Sequence, residues 1–281
     1  MKNSIFHLLV SIFVFLISYL IAYCTELPVV KSAVIIAFIM QWVFFLPAYF
    51  LQTEKFYDIV GSLTYLTVVL YTFFSCNISS GFNIGNLVIS LLIIMWALRL
   101  GSFLFFRISK EGEDKRFKFI KPSATRFFMT WTLQGMWVSV CSVCALTAMS
   151  SLTGVVLNGL FFFGILIFVF GLSVEVIADH QKTKFRNKPE NKGHFISSGL
   201  WAYSRHPNYV GEIILWTGIS VMSFSSLSGA QYLTLISPIF TYLLLVYVSG
   251  VRILEKSGKE KWGHLKSYQE YLKNTPSLFL K

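Results

Sequence analysis

The run Gly199 to Glu212 places Arg205, His206, Asn208 and Glu212 among the aromatic side chains of Trp201, Tyr203 and Tyr209. Pro207 suits the first position of a helix, where a backbone N–H would have no intrahelical acceptor. His206 then stands at the cap and Arg205 just before it. The unpaired N–H groups and positive dipole end of such a helix attract phosphate, and a guanidinium adds a two-pronged donor. The plainer readings are headgroup contact for Arg205 and a structural cap for His206. Upstream, Glu175 and Asp179 are four residues apart and share a helix face. Lys182, Lys184 and Arg186 follow them. Carboxylates in that position accept ribose hydroxyls or an exocyclic amine while the cations meet phosphate; the alternative is pairing with neighbouring bases. Tyr268 and Tyr271 fall three apart on a short C-terminal helix, either at headgroup depth or closing over a bound nucleotide.

The elements that carry these residues are membrane spans. The chain has 281 residues, of which 55% are hydrophobic and 13% charged. A soluble domain of that size carries about a quarter charged residues. Apolar runs of spanning length recur at about 4–23, 32–51, 58–76, 86–106, 127–150, 157–178, 208–226 and 232–251. The expectation is an all-α polytopic bundle of about eight spans. Lys2 ahead of the first run resembles a signal peptide, but the run is long and lacks a convincing cleavage site, so it reads as an anchor.

The net charge of +11 raises nucleic acid as a partner, and its placement argues against one. Seven Lys and Arg lie in 107–126, six in 180–206 and seven in 252–281, while 77–85, 151–156 and 227–231 carry none. Alternation of this kind is what the positive-inside rule produces. It puts both termini and the basic loops in the cytosol, of a bacterial cytoplasmic membrane or an endoplasmic reticulum. The bilayer and an apolar or lipid substrate are the expected partners.

With that topology, Asp58, Arg99, Arg107, Gln134, Glu175, Asp179, Asn208, Glu212, Arg252 and Glu255 come to similar depth near the cytosolic face. Intramembrane charges of both signs imply a polar cavity; unrelated structural pairs are the alternative. Gly164 and Gly171, seven apart, suit close helix contact. Cys141 and Cys144 read as packing residues, and a Cys24–Cys76 disulfide is the lesser reading for that pair. No metal is expected, since there is no HExxH and no His pair at helical spacing. GxGxxG and P-loop signatures are also missing, so any nucleotide is held without a Rossmann unit.

Taken together, Trp96 and Arg99, Gly112 to Phe117, Gln134-Gly135, Glu175 to Phe185, Gly199 to Glu212, Ser249-Gly250, Glu255-Lys256, Tyr268, Tyr271, Thr275 and Pro276 resemble the membrane reductase family that contains the steroid 5-alpha-reductase C-terminal domain, in its DUF1295 branch. The resemblance runs from about residue 55, which divides the chain into N-terminal transmembrane helices (1–54) and a reductase-like membrane domain (55–281). It implies NADPH in a cytosol-facing cavity and hydride transfer to a carbonyl-conjugated C=C bond of a sterol-like or other lipid. The implied cofactor contacts are Asp179, Arg186, Asn208 and Arg252, with Tyr203, Arg205, His206, Tyr209 and Glu212 beside them. Arg107, Glu175, Tyr268 and Tyr271 complete the candidate set.

Where characterised steroid reductases place a tyrosine against the substrate carbonyl, this chain has Trp96, a poor proton donor. Asp58, Arg99 and Gln134 are the replacement candidates for polarising that carbonyl. Two other classes remain open. Lipid or isoprenylcysteine methyltransferases also carry an Arg-His-Pro-x-Tyr-x-Gly element and bind S-adenosylmethionine. A transporter or lipid-binding scaffold would also hold intramembrane charge, though it would need polar groups in both halves of the bilayer.

Overall fold

The computed structural model describes residues 2–279, and among these every regular element is helical. In chain order the α-helices are α1 (Lys2–Cys24), α2 (Pro28–Phe50), α3 (Tyr57–Ser80), α4 (Ile84–Glu111), α5 (Ala124–Ser150), α6 (Gly159–Asn187), α7 (Pro207–Ser223), α8 (Ser237–Leu243), α9 (Val251–Trp262) and α10 (Lys266–Asn274). Seven helical runs are long and apolar enough to cross a membrane.

Of the eight expected spans, α7 is the one that is not among these seven. Its 17 residues rise only about 26 Å at 1.5 Å each, short of a hydrocarbon core of about 30 Å. The last run, Gly229–Trp262, is also not one regular helix. A 3-10 segment over Gly229–Ile236 leads into α8, which widens into a π-helix over Leu244–Ser249 before α9. Pro238 has no N–H to continue a ladder and sets the first break.

The chain divides into two compact units, Met1–Phe161 with Met222–Ser237, and Phe162–Val221 with Pro238–Lys281. In the first, α5 is the central helix. In its most apolar window 83% of residues are buried, against 22–44% for α1 to α4. Its small residues Ser139, Cys141, Ser142, Cys144, Ala145 and Ala148 are all buried, and they let α1, α2 and α3 pack closely around it. Cys141 and Cys144 therefore sit where packing residues belong. The cysteines form no disulfide, Cys24 and Cys76 included.

Helix ends in this unit are set by local chemistry. Asn83 caps α4 by accepting from the Asn86 N–H at 2.8 Å. Gly112 ends α4 at φ +85°, a left-handed conformation suited to glycine.

In the second unit α6 and α7 cross at glycines. A Cβ on Gly171 would stand 2.5 Å from the Leu215 backbone nitrogen and 2.7 Å from the Gly211 oxygen. A Cβ on Gly218 would stand 2.6 Å from the Phe168 nitrogen and 2.8 Å from the Gly164 oxygen. The two helices thus meet backbone to backbone through glycine pairs of equal spacing. A second core of Ile213, Leu245, Val251 and Leu278 gathers Tyr209, Val210, Tyr242 and Val246 around it.

Candidate cofactor site

The Gly171–Gly211 contact fixes where the acidic residues of α6 and α7 lie. A Cβ on Gly211 would sit 2.6 Å from the Glu175 nitrogen, so Glu175 on α6 and Glu212 on α7 flank the closest approach. Both are buried, with exposures of 2% and 5%. Asp179, one turn beyond Glu175, is exposed by 5% and His206 by 6%. Three carboxyl groups and an imidazole thus leave water within the second unit. Burying charge carries a large desolvation cost, so a fold that retains this set has a use for it. Asn208 and Tyr209, in the first turn of α7, are half-buried.

The segment before α7 is stitched on both sides. The Leu200 N–H donates to Gln181 Oε1 at 2.9 Å, and the Trp201 indole donates to the Ala178 carbonyl at 3.1 Å. Gly199 holds φ +64°, a backbone conformation that favours glycine, with the Gln181 amide 2.6 Å from where its Cβ would be. Lys182 lies 4.5 Å from the Trp201 ring centroid, in cation–π range.

On the other side Arg205 is fully engaged. Its Nη1 donates to the carbonyls of Leu272 at 2.8 Å and Thr275 at 3.0 Å. Its Nε and Nη2 both donate to Glu255 Oε1, at 3.1 and 2.6 Å. The same oxygen accepts from the Ser277 hydroxyl at 3.0 Å. Arg205, expected beside phosphate, therefore ties α9 and the C-terminal segment to the mouth of α7. Glu255 is the residue that sequence reasoning left out of the candidate set. Its signal was the Glu255-Lys256 pair, one turn beyond Arg252.

His206 stacks on Tyr209, with ring centroids 5.6 Å apart and planes 9° from parallel. Its Nε2 stands 3.7 Å from Glu255 Oε1, an ion-pair distance if the ring is charged. Burial pushes the imidazole below its ordinary pKa, while the Glu255 carboxylate pulls it back up. Tyr209 in turn lies against Gly250, whose Cβ would stand 2.7 Å from Tyr209 Cε2. The π-helix ends at this glycine, so the widened turn delivers a bare backbone to the tyrosine face.

The tail tyrosines are structural here. The Tyr271 hydroxyl donates to the Trp201 carbonyl at 2.6 Å, and burial pushes its phenol up to about 12. Tyr268 is buried beside Gly258, with its ring 4.9 Å from that of Phe195. Tyr203, Arg186 and Arg252 are exposed.

Asp58, Arg99, Arg107 and Gln134 belong to the first unit. Gln134 Nε2 donates to the Tyr57 carbonyl at 3.1 Å, so one of its two amide N–H groups, the kind wanted for polarising a carbonyl, has an acceptor within the helix bundle. Arg99 lies 5.5 Å from the Phe103 ring centroid. Asp58 is half-buried in the first turn of α3, favourable to the helix dipole. Arg107 is half-buried near the end of α4. Trp96 is 1% exposed and meets Tyr65 edge to face at 5.1 Å.

The loop after α4 is docked on the bundle. Glu54, 5% exposed, accepts from the Asp114 N–H at 2.8 Å and from Lys121 Nζ at 2.5 Å. Phe117 between them is buried against Tyr57 and Phe127. Lys115 and Arg116 side chains lie outside what the structure describes. Among the described residues no group of three or more His, Cys, Asp or Glu is placed to hold a metal.

A family model described as "Protein of unknown function (DUF1295)" matches residues 43–275. The chain belongs to the DUF1295 family. The matched DUF1295 region takes in Glu54, the docked loop, both glycine contacts and the Arg205–Glu255 clamp. A curated protein similar to this chain is named probable O-methyltransferase ustE, of Ustilaginoidea virens, at 33% identity over 66 residues. That match covers 24% of this chain and 23% of the relative, so the chain spans about a quarter of the relative's length. No solved structure matches the chain. As a DUF1295 member with seven apolar helices of spanning length, the protein is an integral membrane protein by family and composition.

Proposed function

We propose that this DUF1295 protein is a membrane enzyme that binds NADPH through its second unit and reduces a carbonyl-conjugated C=C bond in a lipid or sterol-like substrate. The observation that carries this reading is that Glu175, Asp179, Glu212 and His206 are all buried within the second unit, while Arg186 and Arg252 of the same unit are exposed. Carboxylates suit ribose hydroxyls and the cations suit phosphates. These residues fit the polar half of a dinucleotide. Asp179 and Asn208 would hold its sugar and amide groups, and Arg186 and Arg252 its phosphates. NADPH would supply the hydride for the β-carbon, while a proton reaches the α-carbon from the protein or water. Arg205 leaves the list of phosphate contacts and becomes a positioning residue for His206 and the tail.

Tryptophan-quench titration of the detergent-purified protein tests the reading. NADPH is expected to bind saturably, with NADH as control, and Asp179→Ala and Asn208→Ala are each expected to weaken it about tenfold, roughly 1.4 kcal/mol. Wild-type affinity in both variants would remove the site.

A second reading is methyl transfer from S-adenosylmethionine to an apolar acceptor. It draws on the name of the Ustilaginoidea virens relative and on the clamp, since a guanidinium neutralised by Glu255 has less to offer a phosphate. The same titration with S-adenosylmethionine separates the two. Saturable binding of the methyl donor without NADPH binding selects the second.

A further inference from the structure

Besides Asn77 Oδ1, the first unit contains two buried amide oxygens with no hydrogen-bond partner, on neighbouring helices and at one level. Gln41 of α2 is 0% exposed and Gln134 of α5 is 6% exposed, and Oε1 of each is unpartnered. The orientation of both amides is fixed by chemistry. Thr64 gives its hydroxyl proton to the Val60 carbonyl at 2.7 Å, so it can only accept from Gln41, whose Nε2 stands 2.8 Å away. The Tyr57 carbonyl can only accept, so Gln134 turns Nε2 toward it. Flipping Gln134 would set acceptor against acceptor; flipping Gln41 would cost Thr64 its bond to Val60, because the hydroxyl would have to donate to the amide instead.

The register brings the two oxygens to the same stretch of α3. Trp42 Nε1 donates to Thr132 Oγ1 at 3.1 Å, and a Cβ on Gly135 would lie 3.1 Å from Phe38 Cδ1. Gln41 therefore stands level with residues 133–134 of α5. On α3, Gly61 is pressed against the Gln134 amide, and Thr64, one turn on, holds Gln41. Trp131, one turn before Gln134 on α5, is 0% exposed and its indole N–H is also unpartnered. Two acceptors and a donor thus fall within about a turn of one another along the facing helices, in an apolar interior where an unmade hydrogen bond is costly.

We propose that the seam between α2, α3 and α5 binds a hydroxyl group that donates to Gln41 Oε1 or Gln134 Oε1 and accepts from Trp131 Nε1. The guest is a water, which donates to both amides, or the alcohol of a lipid, which donates to one. Buried waters make about three hydrogen bonds, the number offered here. The site excludes a bare ketone, which has no proton for either amide. This inference stands apart from the cofactor reading, because it concerns the first unit alone.

The full-length protein in phosphatidylcholine nanodiscs, with 15N-labelled tryptophan, provides the test. The Trp131 indole signal is identified by its loss in Trp131→Phe. A bound water gives cross-relaxation between that indole proton and water; an alcohol site gives a saturable shift on titration with 1-octanol. Either result supports the proposal, and Gln134→Met is expected to abolish whichever is seen. An indole proton silent to both water and octanol overturns it. Should Trp131→Phe not fold, an experimental density map that resolves waters decides instead. Density between the two Oε1 atoms supports the site, and an empty seam there overturns it.

Discussion

At the scale of single residues, Arg205 and His206 separate two roles that look alike in the sequence. Adjacent, both basic and both beside a helix N-terminus, they read together as anion ligands. The structure gives Arg205 four donors' worth of partners in Glu255, Leu272 and Thr275. Arg205→Lys keeps the charge but loses the planar fork. It is expected to cost about 2 kcal/mol and to lower the apparent melting temperature, measured by tryptophan fluorescence in detergent. His206 brings a pH dependence. Its folded pKa lies below the ordinary value near 6.5. The unfolded chain therefore takes up a proton that the folded chain refuses, and stability rises with pH in that window. The contribution is present above about 6.5 and is lost as pH falls through the folded pKa. Burial sets the direction; Lys182 and Arg205 reinforce it and Glu255 opposes it. A fall in melting temperature between neutral pH and pH 5 is expected, and His206→Phe should flatten it. A wild-type curve with no slope there would contradict the buried neutral imidazole.

At the scale of elements, the glycine crossing of α6 and α7 does most to set the site, and it was only half legible. Gly164 and Gly171 stood out by their spacing. Gly211 and Gly218 have the same spacing, yet Gly211 lies inside the Gly199 to Glu212 run and reads first as part of a motif. Glu54 was less legible still. It lies one residue before the region of resemblance, and its two partners, Asp114 and Lys121, are 60 and 67 residues away. No local pattern encodes such a contact. Gly171→Ala places a methyl against two backbone atoms, Leu215 N and Gly211 O, which no rotamer change can move aside. It is expected to destabilise the protein by about 1–3 kcal/mol and to weaken cofactor binding, because the helices must part where Glu175 and Glu212 lie. Gly159→Ala on the same helix meets nothing within 4 Å and is the control; it should leave both melting temperature and binding unchanged. Equal effects from the two substitutions would show that backbone contact is not what matters at Gly171.

At the scale of the whole molecule, helix type and membrane residence were plain from hydropathy, because each span must be apolar over its full length. Span count was less so. A 17-residue helix and a run broken by 3-10 and π turns have the same composition as regular spans, and composition alone does not reveal hydrogen-bond pattern. Orientation rests on charge. Lys184, Arg186, Lys188 and Lys192 are all exposed, whereas the turn with Leu152, fully exposed at 100%, has no cation between 151 and 156. The positive-inside rule then assigns the two positions to opposite sides. In a Cys24→Ser background expressed in a bacterial inner membrane, Leu152→Cys should react with an impermeant maleimide added to intact cells. Lys188→Cys should react only in inverted vesicles. Labelling of both from one side would break the alternation on which the proposed cytosolic placement of the candidate site depends. Helical packing would survive that result, since it rests on glycine contacts and small buried residues rather than on charge. Neither proposed function would, because NADPH and S-adenosylmethionine are drawn from the cytosol.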